Sequence, residues 1–210
     1  MGVNVSMVTL LDYGEGNIAS VAKAFSQLGQ SVTITSAHRD VEKAEILVVP
    51  GQGAFRPAMT QLKKQDCIGA ITDHVAQNKP FLGICLGFQI LFDYSEEHGG
   101  CEGLGLFPGH FKAFDKNRVK SPQMGWNALT VSQNTPFFLG IPEHSYVYFV
   151  HSYYLEQTHA SLVASTTAYQ TQYVSSIQKG HLFATQFHPE KSGELGLQLL
   201  ANFLAQSTPS

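Results

Sequence analysis

Short β-branched runs alternating with amphipathic stretches dominate the first half of this sequence, and they restrict its fold more than any other feature. The runs are MVTLLD, SVTITS, AEILVVPG and KPFLGI, and after the first of them Ile18, Val21, Ala22, Phe25 and Leu28 recur at helical spacing. Such alternation indicates βαβ units, and therefore a parallel sheet covered by helices on both faces. From about Gly103 to Phe187 the pattern changes to GLFPGHFKAF, SYVYFVHSYY, SLVASTTAY and YVSSIQKGHLFATQF, with Lys179-Gly180 placed as a hairpin turn. These segments read as antiparallel strands added to the parallel core. A closing helix presents Leu195, Leu199, Phe203 and Leu204. The expected architecture is α/β, with residues 1–210 forming a single domain.

At 210 residues the chain is long enough to bury a core without disulfides or metals. A net charge of −3 with no dense Lys/Arg tract offers no nucleic-acid or membrane surface. A small polar substrate or a protein partner fits better. Cys67, Cys85 and Cys101 are odd in number and widely spaced, which argues against a disulfide framework or a Cys-x-x-Cys metal site and for a reducing, cytoplasmic location. The opening residues lack the basic start of a signal peptide, and no window reaches the apolar length of a membrane span. Asp93 to Gly103, containing SEEHGG, reads as an exposed surface segment without assigned function.

Cys85 sits in PFLGICLGFQILFD, where Phe81 to Ile84 read as a buried strand and Gly87 to Phe92 as a helix start. A thiol at a strand-to-helix turn, flanked at two residues' distance by Gly83 and Gly87, has the layout of a nucleophile elbow written with Cys. The glycines suit a tight, strained turn and keep side chains away from the sulfur. A helix N-terminus there favours a thiolate. Taken alone, this spacing leaves an inert core thiol and a nucleophile equally open.

A nucleophilic Cys needs a base and a group that orients the base. LFATQFHPEKSG supplies both, with His188 after an apolar strand and Glu190 two residues on, projecting on one side of an extended segment fixed by Pro189. Apart from His151, the other histidines lie in helical, turn or loop contexts with no evident orienting partner. LVVPGQGAF ends a strand at Pro50 and turns through Gly51-Gln52-Gly53. Main-chain N–H groups of that turn, with the N–H of Leu86, are candidate oxyanion donors. In an open α/β sheet the C-terminal strand ends share one crevice, into which the elbow and this loop would both open.

GICLGFQ, QFHPEKSG and PGQGAF together resemble the class I glutamine amidotransferases. DYGEGNIASV, PQMGWN, YFVHSYY and Lys191 directly after Glu190 narrow the likeness to the glutaminase subunits of imidazole glycerol phosphate synthase. The resemblance covers nearly the whole chain in the expected order. It implies a flavodoxin-like, mostly parallel sheet, a Cys85-His188-Glu190 triad that hydrolyses glutamine to glutamate and ammonia, oxyanion N–H groups from Gly53 and Leu86, and a glutamine pocket lined by Gln89, His151, Ser152 and Tyr153. It implies no cofactor and no metal. For His151 a structural role at a strand end is an equal alternative. The resemblance also implies a heterodimer with a (β/α)₈ cyclase subunit that receives the ammonia, docked through Asn17, Pro122, Gln123, Met124, Trp126, Tyr148 and Lys191. On composition alone Trp126 suits the core as well as a partner surface. Two residues depart from the family pattern: Gln52 stands where the oxyanion strand usually has Val, and Gln123 where the interface motif usually has His. Neither touches the triad, but both keep open a paralogous glutaminase feeding a different synthase, such as one acting on a surface sugar.

Overall fold

The computed structural model describes residues 7–132 and 135–207; the reading of the first six residues as lacking a signal peptide lies outside them. Strands β1 (Met7–Leu11), β2 (Ser31–Thr35), β3 (Ile46–Val49) and β4 (Phe81–Ile84) alternate with helices α1 (Ile18–Gln27), α2 (His38–Lys43), α3 (Phe55–Lys64) and α4 (Cys67–Ala76). After the short helix α5 (Leu86–Gln89) come β5 (Phe92–Ser95), β6 (Cys101–Glu102), β7 (Phe107–Ala113), β8 (Gln123–Ala128) and β9 (Thr130–Val131). The remainder is β10 (Tyr146–His151), β11 (Tyr153–Leu155), β12 (Val163–Ala168), β13 (Gln172–Lys179), β14 (Leu182–Thr185) and α6 (Gly193–Ser207).

Strands β2-β1-β3-β4-β14 form the parallel core in that order, and β13, β11 and β7 continue the same sheet in antiparallel fashion. Successive residues of a core strand enter opposite apolar layers: Leu47 and Val49 of β3 pack with α2, α3 and α4, while Ile46 and Val48 pack with α1 and α6. Side chains alternate across a strand, so a sheet covered on both faces needs apolar residues at every position. That requirement is why these strands read as continuous apolar runs.

The hairpin at Lys179-Gly180 is present, with Lys179 paired to Leu182 and Gly180 at φ +56°. Two expectations need correction. The segment read as exposed surface starts at Asp93, which is exposed, but Asp93 to Ser95 belong to strand β5, parallel to β7, and Ser95 is fully buried; Phe92, read as part of a helix start, opens that strand. The Phe88, Phe92 and Phe111 rings, 5.1–5.6 Å apart, hold it inward. The buried face of α6 also extends beyond the expected leucines to Leu200 and Asn202, whose amide donates to the Phe137 and Leu139 carbonyls at 2.8 Å.

Candidate active site

β3, β4 and β14 are parallel neighbours, so the segments leaving their C-terminal ends meet in one crevice. Those segments carry Gly51-Gln52-Gly53, Cys85 and His188. Cys85 caps α5 with φ 54° and ψ −102°, a conformation that costs a non-glycine residue on the order of 1–3 kcal/mol. Its amide donates to the Thr185 carbonyl at 2.7 Å, and its own carbonyl accepts from Phe88 and Gln89 at 3.0 and 3.1 Å. The strained residue is therefore the cysteine itself, held by hydrogen bonds on both sides.

The flanking glycines have a different cause from the one expected. A Cβ on Gly83 would lie 2.6 Å from the Gly87 carbonyl oxygen, and one on Gly87 would lie 1.7 Å from that of Val49. The backbone of the elbow folds onto Gly83 and itself packs on β3 at Gly87, and this excludes side chains at both positions. Helix α5 has only four residues, so its dipole is small and the surroundings of the sulfur are set mainly by neighbouring side chains.

Foremost among those groups is His188. Its Nδ1–H donates to Glu190 Oε1 at 2.8 Å, and both side chains are at most 3 % exposed. The link forms over a 3₁₀ turn at Pro189–Lys191, not along the extended segment expected from Pro189. The turn is anchored by Ser192 Oγ donating to the His188 carbonyl at 2.7 Å. Burial disfavours a charged imidazole, but the Cys85 side chain and Glu190 oppose this and push the His188 pKa up to about 10. Both neighbours favour the protonated ring. Among the described residues its buried Nε2 has no hydrogen bond, and with Nδ1 given to Glu190 it is the nitrogen left for Cys85.

Cys85 opens onto a cavity of about 310 Å³ that also includes Gln52, Gly53, Leu86, Gln89, Glu97, Pro122, His151, Ser152 and Tyr153. All four expected pocket residues line it. Burial holds the His151 pKa down to about 4, with the His188 charge adding to the effect. Its Nδ1–H donates to the Tyr153 carbonyl at 2.8 Å, and Nε2 lies 3.3 Å from the Tyr173 hydroxyl. His151 is therefore a neutral wall, not a second base. Glu97 was missed by sequence reasoning because it lies in SEEHGG, a stretch with no local sign of burial. Its carboxylate accepts from the Phe55 amide at 2.6 Å and is only 14 % exposed. Phe92, which turns the chain inward, was the only available signal.

The expected oxyanion donors are near Cys85, but Leu86 N–H is engaged with the Gly51 carbonyl at 3.3 Å. Gly51 rests on the Tyr13 hydroxyl, which among the described residues is buried without a hydrogen bond, and burial raises its pKa. Turning the Gly51 carbonyl away would release the Leu86 donor.

Met124 and Trp126 are 63 % and 55 % exposed on β8. Trp126 meets Tyr148 of β10 edge-on at 6.2 Å, and Lys191 Nζ stands 5.9 Å from the Tyr148 ring centroid. Asn17 is exposed and caps α1, which packs on the turn bearing Lys191. Pro122, exposed on the surface, also lines the cavity. Gln123 requires correction. Alternation along β8 turns it inward, where it is 3 % exposed and accepts from the Tyr173 hydroxyl at 3.0 Å, so it cannot lie on a docking face.

Among the described residues no group of three or more His, Cys, Asp or Glu is placed to hold a metal, and no helix is long and apolar enough to cross a membrane. Residues 9–207 match the family model of class-I glutamine amidotransferases. The imidazole glycerol phosphate synthase subunit HisH of Chlorobium luteolum is 44 % identical over 198 residues, covering 94 % of this chain and 98 % of that one. The chloroplastic imidazole glycerol phosphate synthase hisHF of Arabidopsis thaliana is 42 % identical over 208 residues, which span 98 % of this chain but 35 % of that longer protein. Among solved structures, PurLQS from Thermotoga maritima superposes with a TM-score of 0.76 at 18 % identity, over 95 % of this chain and 98 % of that one.

Proposed function

The chain belongs to the class-I glutamine amidotransferases, and from that premise we propose that it is the glutaminase subunit of an imidazole glycerol phosphate synthase, hydrolysing glutamine and passing the ammonia to a cyclase partner. The observation that carries the reading is the buried Cys85–His188–Glu190 arrangement at the ends of adjacent parallel strands, opening onto a cavity of about 310 Å³. The relatives named above support the synthase assignment. A longer relative that contains a counterpart of this chain within a whole synthase supports a cyclase partner.

In this reading Cys85 sulfur attacks the side-chain amide carbon of glutamine, and the carbonyl electron pair moves onto oxygen, stabilised by N–H groups of Leu86 and Gly53 once the Gly51 carbonyl has turned. Each such donor contributes about 3 kcal/mol. Collapse breaks the C–N bond, and His188 Nε2 gives its proton to the departing nitrogen. Water then attacks the thioester while His188 accepts a proton, and the C–S bond breaks to return a thiolate. Glu190 fixes the ring throughout. Gln89, Ser152 and Tyr153 contact the substrate, and the Glu97 carboxylate is the pocket's complement to its α-ammonium group.

The patch formed by Met124, Trp126, Tyr148, Lys191 and Asn17 is the cyclase docking surface in this proposal. Ammonia at neutral pH is mostly ammonium, which has no lone pair to react, so a sealed interface preserves the nucleophile. Three free cysteines fit a cytoplasmic site of action. The test is glutamate release from glutamine, with and without the cyclase and its nucleotide substrate, comparing wild type with Cys85→Ala. Wild type should be stimulated by the complete system, and the variant should lose at least about 10³-fold. No release from wild type with the complete system defeats the proposal; stimulation by another synthase alone moves the chain to a paralogous pathway.

A further inference from the structure

Gln186, two residues before the base, has no part in the scheme above and is completely buried. A buried amide side chain is costly unless its polar atoms are matched. Gln186 Oε1 accepts from Gln89 Nε2 at 3.0 Å, and Gln186 Nε2 donates to Cys85 Sγ at 3.6 Å, within the usual range for a sulfur acceptor. Its main-chain N–H is fixed separately to the Ser175 carbonyl at 2.9 Å. With the Gln186 oxygen taken by Gln89, the nitrogen end faces sulfur. The other neutral partner of Sγ is the Val150 carbonyl at 3.8 Å, which serves only a protonated thiol.

We propose that Gln186 is a catalytic residue of the Cys85 nucleophile: a permanent, neutral N–H donor to the sulfur anion, oriented by the substrate-pocket residue Gln89. The proposal rests on the glutaminase reading for its chemistry, although the contact with sulfur does not depend on it. His188 shuttles its proton, giving it to the departing nitrogen and regaining one from water, so its support for the sulfur varies through the cycle. Gln186 transfers nothing. It meets negative charge on sulfur before the C–S bond forms and again when that bond breaks and its electron pair returns to sulfur. The link to Gln89 also ties the nucleophile's surroundings to substrate occupancy.

The experiment measures the pH dependence of Cys85 alkylation by iodoacetamide in a Cys101→Ser background, which leaves Cys85 beside the fully buried Cys67. Gln186→Met keeps the volume but removes the donor. Its alkylation profile should shift to higher pH by about one unit, with kcat for glutamate release about tenfold lower and KM within about twofold. A profile superimposed on that of the parent overturns the proposal. If Gln186→Met does not fold, Gln89→Met provides the same test. Freeing the Gln186 amide to rotate should shift the profile in the same direction by less, and no shift overturns the proposal. A parent protein that shows the shift on substitution but releases no glutamate in the complete system separates failure of the glutaminase reading from failure of this one.

Discussion

The parallel strand ends and the two-stranded antiparallel sheet of β8 and β10 border the same crevice but are built oppositely. Leu82, Ile84, Val49 and Ala184 around the elbow are fully buried, whereas Met124, Trp126 and Tyr146 on the two-stranded sheet are 55–63 % exposed. At the strand ends, backbone contacts leave no room for a side chain at Gly83 or Gly87. On the β8–β10 sheet, Val147 and Phe149 face inward and are fully buried, while the outward face is open to solvent. The two regions are joined at the catalytic residues: Cys85 Sγ lies 3.8 Å from the Val150 carbonyl of β10, His188 N–H donates to the Tyr148 carbonyl at 2.9 Å, and Tyr148 N–H donates to Ser192 Oγ at 3.0 Å. Tyr148 also carries the ring packed against Trp126. A protein pressing on that ring therefore acts on the backbone that holds the base. In the proposed scheme the nucleophile and base sit on packed strand ends, the Gly51 carbonyl is the part that turns, and control lies on the exposed face.

The largest expected effect tests the rigid side of this contrast. Gly87→Ala puts a methyl carbon 1.7 Å from the Val49 carbonyl oxygen, a backbone atom that cannot rotate away. We expect more than about 4 kcal/mol of lost stability in urea unfolding, or failure to fold. A variant that unfolds with the parent's midpoint would show that the elbow has room to move.

How much of this was legible in the sequence follows the same division. Period and composition revealed β1, β3 and β4, because burial on both faces leaves a continuous apolar run; β14 was read with the antiparallel strands of the second half, yet it lies parallel to β4 within the core, since strand direction depends on pairing distant in sequence. Cys85, His188 and Glu190 were legible because their spacing reflects local turns. Glu97 was not, since its place depends on a cluster of phenylalanines distant in sequence. Gln186 was invisible for another reason: a buried amide looks like any polar residue until its two partners, 97 and 101 positions away, are brought beside it. Gln123 was misplaced because motif likeness carries position along a strand, while the face it occupies is set by pairing with His151.

The next effect tests the exposed side. Trp126→Ala removes a half-exposed ring from a patch where Lys191 and Tyr148 are its neighbours. Affinity for the cyclase partner, measured by calorimetric titration, should fall about 30-fold, equivalent to about 2 kcal/mol. The thermal midpoint of the isolated chain should stay within about 2 °C, since little of the fold depends on that ring. A large drop in the midpoint with unchanged affinity would make Trp126 a structural residue and remove the contrast.

The smallest effect concerns the loop between the two regions. Gln52 sits in the cavity wall, next to the Gly51 carbonyl that occupies Leu86 N–H, and among the described residues its side-chain amide makes no hydrogen bond. An amide idle in this conformation does not stabilise it, so any contribution from Gln52 must come after the Gly51 carbonyl turns, when donor and acceptor can both find partners. Gln52→Val should therefore lower basal glutamate release and raise the stimulated-to-basal ratio by about threefold, roughly 0.7 kcal/mol of differential stabilisation. The maximal rate should change less than that ratio, because the triad and its hydrogen bonds do not involve the loop side chain. If the ratio stays at the parent value, turning of the Gly51 carbonyl is governed by the backbone and the buried Tyr13 beneath it, and Gln52 is a passive part of the cavity wall.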